Sequence, residues 1–304
     1  MSMPSSHGHC LIHVNPRLQF SAMLPRDAAF RPHMFQTIVH PTDFSAPSSD
    51  AFAHALRIAI ATRGKLYLVH AAESKYDQQD GFPHIRHALV LWWLLNENDP
   101  PTAVGKLGIK VAKIGLEPQD NPLRGLMRFL MKHPSDLIVL ATHGRDGVAH
   151  WLHGSIAEEL SRAAQLPTLF VPSTARGFID QTNGNVHLSR VLVPIDHSPQ
   201  PARALATIQN FIAPMNEQGA AIELMHVGRI APLVRRISDG AIVPVALRTG
   251  DVTSTILETV NEQQADLIAM PTAGHQGFLD ALRGSTMERV LRHAPCPVLA
   301  VPAE

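Results

Sequence analysis

Short β-branched runs alternate with longer amphipathic stretches along most of the chain, and this alternation sets the expected fold class. Thr37-Ile38-Val39 and Arg190-Val191-Leu192-Val193 are strand-forming runs, each followed by a proline and an aspartate. After the first of them, Phe52, Ala55, Leu56 and Ala59 recur at i, i+3, i+4 and i+7 behind the polar starters Ser45, Ser48 and Ser49, which predicts a helix. Leu66–His70 and Ile222–His226 read as second strands, and Ile109-Lys110-Val111 and Val243-Pro244-Val245 as third strands. Leu137–Leu140 and Leu267–Met270 are apolar runs typical of buried fourth strands, and Thr168–Val171 and Val298–Val301 complete each set. Strands that alternate with helices predict parallel sheets covered by crossover helices. The expected fold is therefore α/β, with two five-stranded, Rossmann-like units in tandem.

The same sequence supplies the reason for two units, because its second half restates its first. Asp136-Leu137-Ile138 recurs as Asp266-Leu267-Ile268, Gly154-Ser155 as Gly284-Ser285, and Val171-Pro172 as Val301-Pro302. Residues 136–172 and 266–302 share sixteen identities in 37 ungapped positions, too many for chance. Nearer the start of each half, Val39–Ser45 matches Leu192–Ser198 at an offset of 153 rather than 130, so the first half carries an insert, placed at about 74–106. Domains are expected at 34–172 and 188–304, joined by a linker at 173–187 that holds Gly177, Asn183, Gly184 and Asn185. Residues 1–33 read as a disordered N-terminal extension.

Both halves place a glycine-rich loop after the fourth strand. The first runs Thr142-His143-Gly144-Arg145-Asp146-Gly147 and on to Gly154-Ser155-Ile156; the second runs Thr272-Ala273-Gly274-His275-Gln276-Gly277 and on to Gly284-Ser285-Thr286. Glycines at a strand end let backbone amides approach an oxyanion, and a helix that opens on Gly-Ser adds its N-terminal N–H groups and a hydroxyl. Asp43 and Asp196 stand at the carboxyl end of each first strand, where ligands bind in open α/β sheets. Either carboxylate could accept from a ribose or base, or hold a metal ion. Each could instead cap the helix that follows, a task Ser45 and Ser198 perform equally well.

These motifs resemble those of the universal stress protein (Usp) family, in a tandem two-domain form. The family's nucleotide-binding members are similar in a G-x-x-G-x₉-G-[ST] pattern together with an aspartate after the first strand. Gly144 and Gly274 match the second glycine, Gly154 and Gly284 the third, Ser155 and Ser285 the hydroxyl. Ala141 and Pro271 stand where the first glycine is usual; proline there removes an amide donor, which weakens the case for the second half. The resemblance implies an adenine nucleotide-binding fold of the adenine nucleotide alpha hydrolase-like type, with the last strands of the two halves meeting in an intramolecular pseudo-dimer. It further implies ATP or a related nucleotide as a regulatory ligand, with Mg²⁺ beside the phosphates. Binding residues would be Asp43, Ala141, His143, Gly144, Gly154, Ser155 and Ile156 in the first half, and Asp196, Gly274, Gly284, Ser285 and Thr286 in the second. A homo-oligomer or a protein partner is compatible with it, and a nucleotide-free interaction protein of the same fold is the alternative.

Composition narrows the classes further. Lys plus Arg and Asp plus Glu both number 26, so no net charge draws the chain to nucleic acid or anionic lipid. The longest apolar run, Ala88–Leu95, is far below the ~18 residues of a membrane span, and no secretory leader is evident, so a cytoplasmic protein is expected. Cys10 and Cys296 form no framework or C-x-x-C pair. Walker A, G-x-G-x-x-G, G-x-S-x-G and zincin motifs are all absent, which points to binding rather than a dedicated hydrolase or transferase, though slow ATP turnover stays compatible. The 18 histidines are scattered without a metal-ligand spacing and read as solvated surface, with His84/His87 and His150/His153 the pairs to inspect and His7, His9, Cys10 and His13 a patch in the tail. Phe82–Asn96, apolar almost all round and containing Trp92-Trp93, predicts a helix in the insert that is either buried in the core or covers a ligand site or partner.

Overall fold

The computed structural model describes residues 34–71, 81–116, 122–142, 160, 164–216, 218–272 and 286–302. In the first half, strands β1 (Thr37–Pro41), β2 (Lys65–Ala71), β3 (Lys110–Leu116), β4 (Leu137–Thr142) and β5 (Thr168–Pro172) enclose helices α1 (Ala46–Thr62), α2 (Ile85–Leu91), α3 (Ala103–Lys106) and α4 (Pro122–Lys132). The second half contributes β6 (Arg190–Pro194), β7 (Ala221–Val227), β8 (Val234–Arg235), β9 (Ile242–Val243), β10 (Val245–Arg248), β11 (Leu267–Thr272) and β12 (Val298–Pro302). Its described helices are α5 (Pro201–Ile212), α6 (Val252–Gln263) and α7 (Thr286–His293). Ten strands form one sheet in the order β10-β7-β6-β11-β12-β5-β4-β1-β2-β3. Within this sheet every described pair inside a half is parallel, and β5 with β12 is its one antiparallel pair, in the register Phe170 to Val298, Leu169 to Leu299 and Thr168 to Ala300. The expected meeting of the last strands is thus present, and it turns two sheets into one continuous core.

The repeated Asp-Leu-Ile has a local mechanical role. Asp136 Oδ2 accepts from Thr37 N at 2.8 Å, while Asp266 Oδ2 accepts from Ser189 N and Arg190 N at 2.8 and 3.0 Å. Each aspartate therefore holds the start of its half's first strand, and its own N–H returns a bond to Thr37 O or Arg190 O. The leucine and isoleucine that follow are fully buried between neighbouring strands. Helix α1 forms where the stripe predicts: Phe52, Ala55, Leu56 and Ala59 are buried, and Ser45 caps it by accepting from Ser48 N.

Three expectations change. The third strand of the second half is Val245–Arg248, not Val243-Pro244-Val245; Pro244, without an N–H to donate, separates it from Ile242–Val243, which pairs antiparallel with β8 instead. Ser198 does not cap the next helix, because prolines at 199 and 201 delay its start to Pro201, and Gln200 is an N-cap with no side-chain bond. The insert helix spans only Ile85–Leu91 rather than Phe82–Asn96. It stops in a Schellman turn, with Leu94 N bonded to Leu89 O at 2.9 Å and Trp93 N to Val90 O at 3.0 Å, and with Trp93 in the left-handed position at φ 58°. That turn sends the paired tryptophans in opposite directions: Trp92 is buried and Trp93 is 88% exposed.

Trp92 packs on residues 173–187. Its Nε1–H donates to Gln181 O at 2.8 Å, and its indole lies over Gly184, whose φ of 70° and lack of a side chain both permit the approach. From the other side, His54 on α1 reaches the same segment: its Nδ1–H donates to Asp50 O at 2.8 Å and its Nε2 accepts from Phe178 N and Ile179 N at 3.1 and 3.3 Å. Phe178 is also edge-on to Phe211 of α5, as is Phe35. Residues 173–187 are thus tied to both halves by buried contacts and do not behave as a solvated spacer.

Candidate functional site

Within each half the strand order reverses between the first and fourth strands, β1 and β4 or β6 and β11. Crevices for ligands open at such a switch point, outside the carboxyl ends of the strands. Asp43 follows β1 and Asp196 follows β6, while β4 and β11 end at Thr142 and Thr272, immediately before the two glycine-rich loops. Of the residues predicted to bind a ligand, Asp43, Ala141, Asp196 and Thr286 are described; His143, Gly144, Gly154, Ser155, Ile156, Gly274, Gly284 and Ser285 lie outside the described residues. Ala141 is fully buried inside β4, which leaves its side chain no exposed surface to offer a ligand. Pro271 lies past Ile268, the last residue of β11 paired with β6, which is how the strand accommodates a proline. Thr286 is the first residue of α7.

The two crevice edges differ in chemistry. In the first half, Asp43 Oδ1 accepts from Ser45 N at 3.0 Å and from Ser45 Oγ at 2.6 Å, so part of the carboxylate is engaged in the turn that starts α1. Beneath it runs a polar chain: Thr42 Oγ1 and Ser48 Oγ are 2.8 Å apart, Ser48 Oγ lies 3.4 Å from His40 Nε2, and His40 Nδ1–H donates to Val139 O at 2.9 Å. Burial pushes the His40 imidazole down to about 4, so it stays neutral. Above Asp43, Phe44 at φ 64° stacks on His70 at 4.1 Å between ring centres, and Phe82 from the insert meets Phe44 edge-on at 5.1 Å. Phe82, Leu89, Trp92 and Leu95 of the insert are buried in the hydrophobic core, the first of the two roles its apolar sequence suggests.

In the second half the same positions hold Asp196, His197 and His226. His226 Nδ1 bonds to Ile195 O at 3.0 Å as His70 Nδ1 bonds to Thr42 O at 2.8 Å, which fixes the equivalence of the two edges. Among the described residues no aromatic plug stands beside this carboxylate; the Asp196 side chain is 71% exposed. Sequence reasoning missed the meeting of these three residues, because His226 arrives from the neighbouring strand and no short-range spacing announces it.

A family model for the universal stress protein family matches residues 34–172 and 233–302. The chain belongs to the universal stress protein family. A universal stress protein of Methanocaldococcus jannaschii is 29% identical over 147 residues, covering 46% of this chain and 83% of that relative. Among solved structures, a universal stress protein from Archaeoglobus fulgidus aligns with a TM-score of 0.58 and 19% identity over 89% of this chain and 99% of its own. A functionally unknown protein from Pseudomonas aeruginosa aligns with a TM-score of 0.54 and 13% identity, over 89% and 93% of the two chains. These structural matches extend over both halves and bear on the fold.

A separate groove of about 880 Å³ opens at the other ends of the Usp strands, lined by Asp50, Arg176, Asp180, Arg190 and Asp266 among others. Within it Arg176 pairs with Asp266 at 2.8 Å. No helix among the described residues is long and apolar enough to cross a membrane.

Proposed function

We propose that this universal stress protein binds ATP or a related adenine nucleotide, with Mg²⁺, in at least one of two domains at 34–172 and 188–304, and that the nucleotide acts as a regulatory ligand. The observation that carries the reading is positional. In both halves the aspartate and the glycine-rich segment follow, in the chain, the two strands that flank the switch point, an order that would bring a carboxylate and a set of backbone amides to one crevice. Asp43 and Asp196 would meet the base or ribose side or the metal. Gly144, Gly154 and Ser155, with their counterparts Gly274, Gly284, Ser285 and Thr286, would hold phosphates through amides, hydroxyls and a helix start.

Calorimetric titration of Mg·ATP into the full chain, after a denatured sample has been checked for retained nucleotide, tests this reading. Saturable binding is expected, at one or two nucleotides per chain. Gly154→Val and Gly284→Val should each abolish or weaken one site by about tenfold or more, the scale of losing hydrogen bonds to a charged group, while the unfolding midpoint stays near that of the parent. No heat and no retained nucleotide would overturn it. That outcome would favour the second reading, a nucleotide-free partner-binding protein, for which the 88% exposed Trp93 and the neighbouring exposed Leu91 on the insert are the supporting observation.

A further inference from the structure

The open edge of the second half carries a set of donors that its counterpart lacks. Asp196, His197 and His226 each offer one ligand atom, and these atoms lie within 4.8 Å of one another. Both imidazoles are held through one ring nitrogen to a backbone carbonyl: His226 Nδ1 to Ile195 O at 3.0 Å, and His197 Nε2 to Ile230 O at 3.1 Å. A carbonyl only accepts, so each of those nitrogens carries the proton and the other keeps its lone pair. This is the arrangement by which proteins orient histidines toward metals.

Space and charge agree with that use. A Cβ at Gly228 would collide with His226 Nε2, so the glycine keeps the surroundings of that nitrogen open. His226 is buried and fixed. Asp196 Oδ1 lies 3.7 Å from its Nδ1 and accepts from His197 N at 2.7 Å, so the 71% exposed carboxylate reaches the lone pair on Nε2 only by turning away from Nδ1, between imidazoles whose ring centres are 5.2 Å apart. Metal–ligand bonds of about 2.0–2.2 Å in a tetrahedron place the donors about 3.4 Å from one another, a contraction that rotation of Asp196 and of the exposed His197 supplies. Two neutral nitrogens and one carboxylate suit Zn²⁺ and its first-row neighbours, not Mg²⁺, which demands oxygen. The first half is the internal control. Phe44 stands at the position of His197 and stacks on His70, so the same backbone edge holds a hydrophobic plug.

We propose that Asp196, His197 and His226 form a binding site for a divalent first-row transition metal, represented by Zn²⁺, with three protein ligands and a coordination position open to solvent. The site does not rest on nucleotide binding, and its test contains no nucleotide.

Co²⁺ serves as the spectroscopic substitute for Zn²⁺. Titrated into the metal-free full chain, Co²⁺ should give a saturable visible d–d band at one equivalent, abolished by competing Zn²⁺ and unaffected by excess Mg²⁺. His197→Phe, which copies the residue of the first half, should remove the band and weaken binding tenfold or more; Asp196→Asn should do the same. Melting of both variants in EDTA should match that of the parent, which separates loss of ligands from loss of fold, and His197→Gln repeats the test should the phenylalanine variant misfold. The remaining histidines are the same in parent and variants, so the difference between them is the quantity read. A band of equal strength and affinity in parent and variants, or no saturable band in the parent, would overturn the proposal.

Discussion

Between pH 6.5 and pH 4 the protein should lose stability steeply, because two buried imidazoles cannot take up protons while the chain stays folded. Burial pushes His40 and His54 from 6.5 down to about 4. Above pH 6.5 both are neutral folded or unfolded, and neither makes stability depend on pH. Below 6.5 the unfolded chain binds protons that the folded chain refuses, so stability falls with pH, levelling near 4 where the folded form also protonates. At about 1.4 kcal/mol per unit, each histidine accounts for about 3 kcal/mol across that window. At His54 the hydrogen bonding points the same way as burial: Nε2 accepts two backbone N–H groups, and a proton there would set donor against donors and release residues 178 and 179. Urea unfolding at a series of pH values checks this. His54→Gln should lower stability at pH 7.5 and flatten the slope; a parent midpoint constant from pH 6.5 to 4.5 would show that these histidines are not held neutral by the fold.

Most of the frame was legible in the sequence, since each strand is a local run and the halves repeat. Asp136-Leu137-Ile138 and its echo predicted two equivalent strands, whereas the meeting of the last strands, seen as the antiparallel pair β5 with β12, was implied by the resemblance to the family. The crevice was legible only at its first-strand corner, where Asp43 and Asp196 sit at the switch points. What escaped was set by contacts between residues far apart in sequence. His54 finds its acceptor role 124 residues away at Phe178, and His226 joins Asp196 only because β7 pairs with β6. Hydrophobicity alone also fails to separate Trp92 from Trp93, for a helix continued through both would have pointed them about 100° apart, whereas the left-handed turn at Trp93 sends one inward and one out.

That divergence leads to the second large effect. Trp92→Ala should destabilise the protein by about 3–5 kcal/mol, the range for emptying a buried tryptophan site, with the bond from Nε1–H to Gln181 O lost as well. Trp93→Ala, 88% exposed in the parent, should change stability by about 0.5 kcal/mol or less. Because Trp92 is the insert's grip on residues 181–184, its removal should also make that segment a site of limited proteolysis at a denaturant concentration where the parent is intact. Gly184→Val should reproduce the effect from the other partner, since it sets a β-branched residue at φ 70° and drives a Cβ to 2.5 Å from the indole. Equal midpoints for the two tryptophan variants would mean that the insert does not brace residues 173–187. Loss with Trp92→Ala and Gly184→Val alike, and none with Trp93→Ala, would show that the insert brings its own buried contact to the junction between the two halves.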